Sequence, residues 1–110
     1  LSNVKPGMRA YSEELFGPVA TVISFSRIEE AIEIANSSDF GLGGGIFSQN
    51  EEEAYELAIN EFDSGACFIN DFVKSDPKLP FGGVKNSGYG RELSSEGLKE
   101  FLNIKTVCIS

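Results

Sequence analysis

The sequence predicts an α/β fold, and three observations lead there. Short β-branched or apolar runs alternate with segments of helical period. The helical segments open on residues that cap helices, and a run of strand length follows each. Strand–helix–strand order of this kind favours one layer of parallel pairing with right-handed crossovers.

Val19 to Phe25 (Val-Ala-Thr-Val-Ile-Ser-Phe) is a β-branched run of strand length. Ser26-Arg27-Ile28-Glu29 has the spacing of a capping box, in which hydroxyl and carboxylate satisfy each other's free amides. Ile28, Ala31, Ile32 and Ala35 then fall at i, i+3, i+4 and i+7, one face of a helix that should stop near Asn36 to Asp39. Leu42 to Phe47 reads as a second strand weakened by Gly43, Gly44 and Gly45, which imply a close neighbour to the backbone. Asn50 can cap a second helix, with Glu51, Glu52 and Glu53 favoured by the dipole in its first turn. Its apolar face is Ala54, Leu57, Ala58 and Phe62, and Gly65 to Ile69 follows as a third strand. Asn70 to Gly90 reads as one long irregular stretch, Leu93 to Leu102 as a short third helix and Lys105 to Ile109 as a last strand. A structureless loop of that length is uncommon in a small domain, and it is where chemistry is expected.

The 110 residues fit one domain, and a chain of that size can bury roughly two-thirds of its unfolded surface, enough for one core. Hydrophobic residues make up 41% and charged residues 24%, the balance of a globular protein rather than a disordered tail. Nine Lys+Arg against 17 Asp+Glu give a net charge of −8, which repels nucleic acid and anionic membrane alike. No apolar run approaches the roughly 20 residues of a spanning helix. With no histidine there is no imidazole base, metal ligand or pH switch. Cys67 and Cys108 lie in apolar runs and are expected as buried free thiols of a reducing, cytoplasmic protein, with no metal site. The chain begins at Leu1 without a signal-peptide pattern and reads as a piece of something longer.

Two glycine motifs fail on inspection. In Gly41-Leu42-Gly43-Gly44-Gly45-Ile46 the third glycine of a dinucleotide fingerprint would fall on Ile46, inside a strand. In Gly83-Val84-Lys85-Asn86-Ser87-Gly88-Tyr89 a tyrosine stands where a P-loop needs lysine. The glutamates at 51–53 are better explained as a helical first turn than as a cation site.

Two segments resist a purely structural account. Glu13-Glu14-Leu15-Phe16-Gly17-Pro18 places an aromatic ring between a carboxylate and a turn. Pro80-Phe81-Gly82-Gly83-Val84-Lys85-Asn86-Ser87-Gly88-Tyr89-Gly90-Arg91-Glu92 is the other. Together they resemble the E-E-x-F-G-P and P-F-G-G-x-K-x-S-G-x-G-R-E blocks of the aldehyde dehydrogenase superfamily. Asp39-Phe40-Gly41-Leu42 and Gly65-Ala66-Cys67-Phe68-Ile69-Asn70 are similar to its Y-G-L and G-x-x-x-[VI]-N segments, in the same order. The resemblance covers essentially the whole chain and implies the C-terminal part of a much longer enzyme. Residues 1–103 would belong to its catalytic domain and 104–110 would be an oligomerisation strand making a homo-oligomer.

The resemblance also implies roles and absences. Glu14 would accept hydrogen bonds from the nicotinamide ribose of NAD or NADP, with Phe16 and Leu42 at the nicotinamide end. The plain alternatives are a solvated carboxylate, a turn anchor and core packing respectively. Ser75 and Phe81 would face the aldehyde substrate, against an ordinary polar loop residue and a packed ring. Ser75 carries the substrate assignment, because relatives acting on apolar aldehydes have an aromatic there, whereas succinate-semialdehyde dehydrogenases are similar to this chain in having Ser. A hydroxyl can donate to a carboxylate and a phenyl ring cannot. Lys85, Arg91 and Glu92 are expected to be structural partners, and the glycines from 82 to 90 to permit close approach and positive φ. The nucleophilic cysteine, the general base and the cofactor domain lie upstream in the family, and Cys67 does not replace the nucleophile. The chain by itself is therefore expected to bind no cofactor and to be inactive. A non-enzymatic folding and oligomerisation module is the rival reading.

Overall fold

The computed structural model describes all 110 residues, Leu1–Ser110. The elements in chain order are α1 (Arg9–Ser12), α2 (Ile28–Asn36), β1 (Phe40–Gly41), β2 (Gly44–Ile46), α3 (Glu51–Asn60), β3 (Cys67–Ile69), β4 (Val84–Lys85) and α4 (Ser94–Lys99). Two small ladders organise them. β2 and β3 run parallel with Gly44, Gly45 and Ile46 opposite Cys67, Phe68 and Ile69, so α3 is the crossover between parallel strands. β1 and β4 run antiparallel, Phe40 opposite Lys85 and Gly41 opposite Val84.

The β2–α3–β3 unit matches its sequence signals. Asn50 Oδ1 accepts from the Glu53 amide at 3.3 Å, while Asn50 Nδ2 donates to the Glu53 carboxylate at 3.2 Å. Ala54 is fully buried, and Leu57, Ala58 and Phe62 are half-buried on the same face. The glycines of β2 have their close neighbour: a Cβ on Gly44 would lie 2.5 Å from the Phe62 ring. α2 covers the predicted residues, but its cap differs. Its N-cap residue is Arg27, and the Ser26 amide donates to the Glu30 carboxylate at 2.9 Å rather than pairing with Glu29. Glu30, one residue further on, reaches back over the turn.

The ends of α2 and α3 are joined by one side chain. Asn36 Nδ2 donates to the Glu61 carbonyl at 2.6 Å, and Asn36 Oδ1 accepts from the Asp63 amide at 2.9 Å. A side chain from the end of α2 thereby satisfies two backbone groups just past the end of α3.

Three expectations need correction. Val19 to Phe25 and Lys105 to Ile109 form no ladder; the first meets the chain start instead, with the Val22 amide donating to the Leu1 carbonyl at 2.8 Å and the Leu1 amine to the Ala20 carbonyl at 2.6 Å. Cys108 is exposed, not buried, and Cys67 is only half-buried. The single well-filled core is also absent, since Val4 and Ala54 are the buried hydrophobic residues. The accessible surface is 8780 Å2, against about 5,900 Å2 for a compact monomer of this mass. Cα atoms extend over 65 × 32 × 27 Å with a radius of gyration of 17.5 Å, whereas a compact chain of this length has about 13 Å. The excess is apolar, with Phe16, Phe72, Phe101, Ile104 and Ile109 all at least 79% exposed. No helix is long and apolar enough to cross a membrane.

Candidate functional site

The Pro80–Glu92 block is fixed by its own backbone. Phe81 and Glu92 exchange both main-chain hydrogen bonds, at 2.8 and 2.7 Å, closing the block at its ends. Inside it, the Arg91 guanidinium donates to the Gly83 and Gly90 carbonyls at 3.0 and 2.7 Å. β4 then pairs with β1, and the Asn86 amide donates to the Asp39 carbonyl at 3.0 Å. Lys85 donates to the Asn36 and Ser38 carbonyls at 2.9 and 3.2 Å and pairs with Asp63 at 2.9 Å. These contacts bear out Lys85 and Arg91 as structural partners; Glu92 contributes through its backbone. Gly88 and Gly90 have φ of +139° and +66°, as the glycine content implied.

This clip brings three clefts together. The first, about 690 Å3, is lined by Tyr11, Glu14, Leu15, Thr21, Leu42 and Ser87 among others. The second, about 400 Å3, runs between Leu42, Phe81, Ser87, Arg91 and Glu92. A third, about 260 Å3, has Cys67, Lys74, Asp76 and Phe81 in its wall. Leu42 and Ser87 belong to the first and second clefts, and Phe81 to the second and third. Glu14, Leu42 and Phe81 therefore line neighbouring clefts that share wall residues. Phe16 does not join them: its ring is 96% exposed and lines none of these clefts. Ser75 is also exposed and outside them, although its neighbours Lys74 and Asp76 line the third.

Charge distinguishes the two adjacent glutamates. Glu13 is occupied by Arg9, which donates through Nε and Nη2 at 2.7–3.0 Å; that bond pushes the guanidinium pKa further up. Glu14 has no hydrogen bond or ion pair and leaves its carboxylate open on the cleft wall. On the substrate-side loop, Lys74 pairs with Asp71 and holds that carboxyl below its ordinary range. Burial pushes the Cys67 thiol up, so it stays protonated and is a weak nucleophile. No three His, Cys, Asp or Glu side chains lie close enough to hold a metal ion.

Ser87 is the residue the sequence reading passed over. Its hydroxyl accepts from the Gly41 amide at 2.9 Å and its side chain lines two clefts. The available signal was the turn spacing from Val84 to Ser87, closed by a 3.1 Å hydrogen bond from the Ser87 amide to the Val84 carbonyl.

Comparison with known proteins identifies the family to which this α/β segment belongs. The aldehyde dehydrogenase family profile matches residues 1–107, and the chain belongs to that family. It is 50% identical over 109 residues to succinate-semialdehyde dehydrogenase [NADP(+)] 1 of Mycobacterium ulcerans, covering 99% of this chain and 24% of that protein. An aldehyde dehydrogenase of Paenarthrobacter nicotinovorans is 50% identical over 110 residues, again 24% of its length. Among solved structures, betaine aldehyde dehydrogenase of Staphylococcus aureus in complex with NAD+ superposes with a TM-score of 0.86 at 45% identity, over 91% of this chain and 20% of that one. Gox0499 superposes with a TM-score of 0.92 at 43% identity, over 99% and 24%. The chain thus spans about a quarter of the length of the curated relatives it matches.

Proposed function

We propose that this chain is the C-terminal part of an NAD(P)-dependent aldehyde dehydrogenase that oxidises succinate semialdehyde. It would supply one wall of the cofactor and substrate sites but not the reacting thiol. The observation that carries this reading is the meeting of two clefts at Leu42, with the open Glu14 carboxylate on one and Phe81 on the other. A free carboxylate suits a vicinal diol, because it accepts from both hydroxyls at once. Glu14 would hold the nicotinamide ribose in this way, with Leu42 and Phe16 against the nicotinamide end. Neither Lys nor Arg lines the first cleft, so phosphate recognition falls to other parts of the enzyme. When bound, the cofactor supplies hydride acceptance from the aldehyde carbon.

Phe81 and Ser75 belong to the substrate side of the proposal. Similarity to the mycobacterial succinate-semialdehyde dehydrogenases and the serine at position 75 support a substrate bearing a carboxylate. The apolar surface left open supports packing against further polypeptide. Ile104, Val107 and Ile109, at 84%, 74% and 96% exposure, support residues 104–110 as the strand that pairs between subunits of a homo-oligomer. By itself the chain would be an inert folding and assembly module, without cofactor.

The test is a direct assay. The full-length enzyme carrying this segment should reduce NADP+ or NAD+ when given succinate semialdehyde, and the 110-residue chain should not. Turnover by the isolated chain, or a full-length enzyme that prefers betaine aldehyde, would overturn the proposal.

A further inference from the structure

Leu42 and Ser87 are common to the walls of the first and second clefts, and the two are linked through Gly41, the residue before Leu42. The Gly41 carbonyl accepts from the Gly65 amide at 2.9 Å, an ordinary main-chain contact. The Gly41 amide donates to the Ser87 hydroxyl at 2.9 Å, from a residue that stands opposite Val84 in the β1–β4 ladder. Gly41 is buried, so its amide depends on acceptors supplied by the chain rather than by solvent. The site is also tightly enclosed: a Cβ on Gly41 would lie 2.6 Å from Val84 Cγ2 and 3.0 Å from the Asp63 carbonyl oxygen. Ser87 is itself anchored by the turn that returns its amide to the Val84 carbonyl, at 3.1 Å. The residue that follows Gly41 is Leu42, 45% exposed and present in the wall of both clefts.

We propose that Ser87 is a positioning residue: by accepting the Gly41 amide it fixes the Leu42 side chain at the junction of the two clefts, and so sets the contact that Leu42 makes with the nicotinamide end of the cofactor. The inference rests on the reading of the first cleft as the cofactor side. Ser87 itself lines both clefts, so a positioning role is told from direct contact by whether the effect of its removal depends on Leu42.

The test uses the full-length enzyme with Ser87→Ala, Ser87→Thr, Leu42→Ala and the double variant Ser87→Ala/Leu42→Ala. Ser87→Ala should raise the cofactor KM about tenfold while the aldehyde KM changes little, and Ser87→Thr, which keeps the hydroxyl, should restore the cofactor KM. In the Leu42→Ala background, Ser87→Ala should add almost nothing, because the side chain it positions is gone. Additive effects of the two substitutions, or a lowered melting temperature with unchanged cofactor KM, would overturn the proposal. If Ser87→Ala does not yield folded enzyme, Ser87→Cys, close in size with a weaker acceptor, carries the same comparison. Glu14→Gln separates the layers: if neither it nor Leu42→Ala alters the cofactor KM, the reading of the first cleft fails. If both do and Ser87→Ala does not, the positioning role alone fails.

Discussion

The Lys85 ammonium lies 2.9 Å from the Asp63 carboxylate while donating to the carbonyls of Asn36 and Ser38, so one side chain ties the end of α2, the turn after α3 and β4 together. The arrangement satisfies carbonyls that the last turn of α2 leaves open and places a cation where the helix dipole is negative. Lys85 is itself in the left-handed region at φ +53°, a strain that its three contacts offset.

Lys85→Ala should lower stability by about 1–2 kcal/mol, because two charge-assisted hydrogen bonds and an ion pair go together. Asp63→Asn should cost less, below about 1 kcal/mol, since the Asp63 side chain is 53% exposed and its share of the pair is screened by solvent. Urea denaturation of the three proteins checks the ranking. A larger loss from Asp63→Asn than from Lys85→Ala would place the energy in the ion pair instead.

Gly65→Ala should be among the most damaging single changes in this segment. An added Cβ would lie 1.6 Å from the Gly82 carbonyl oxygen, a main-chain atom that cannot move without opening the Phe81–Glu92 closure. The expected loss is about 3 kcal/mol or more, read as a fall in unfolding midpoint or in soluble yield. Normal stability would mean that the β3 and Pro80–Glu92 backbones are further apart than described.

Much of the fold was legible because its signals are local. Asn50 caps α3, Ala54 and Leu57 mark its inner face, and the glycines of β2 announced the ring of Phe62; none needs distant information. Val19–Phe25 and Lys105–Ile109 have strand composition and form no ladder, because composition alone does not supply the partner that defines a strand. β1–β4 escaped for the opposite reason: Phe40-Gly41 and Val84-Lys85 pair through backbone with no alternating pattern to read. At the site, Glu14, Leu42 and Phe81 came from motif spacing and line neighbouring clefts. Phe16 and Ser75 came from the same motifs and stand apart, exposed and outside these clefts.

The two thiols should differ in reactivity. In the 110-residue chain Cys108 is exposed and Cys67 half-buried with its pKa raised by desolvation, so iodoacetamide near pH 8 should label Cys108 first. The sign for stability follows. A thiol with a raised folded pKa contributes stability below its unfolded value, about 8.5, and loses it as pH rises through the folded value. Stability should therefore decline above about pH 8.5, and Cys67→Ala should remove that decline. Peptide mapping after timed alkylation and unfolding at two pH values test both halves; preferential labelling of Cys67 would contradict the burial described.

Glu14→Gln should weaken cofactor binding in the full-length enzyme without unfolding it. The substitution keeps the shape and removes the charge of an acceptor otherwise unpaired, worth about 1.5–3 kcal/mol, so the cofactor KM should rise roughly tenfold to a hundredfold. Glu13→Gln provides the comparison, because Glu13 lines the same cleft but is engaged with Arg9, and its effect on the cofactor KM should be smaller. Equal effects from both would indicate a general charge effect.

The most direct test of the whole account is the selectivity of Ser75→Ala. In the full-length enzyme, kcat/KM for succinate semialdehyde should fall roughly tenfold to a hundredfold, the range for one hydrogen bond to a charged group. A neutral aldehyde of similar length should be turned over as before, because it never used the hydroxyl. Equal loss on both substrates, or no loss on either, would contradict the assignment of this segment to an enzyme that recognises a carboxylate-bearing aldehyde through Ser75.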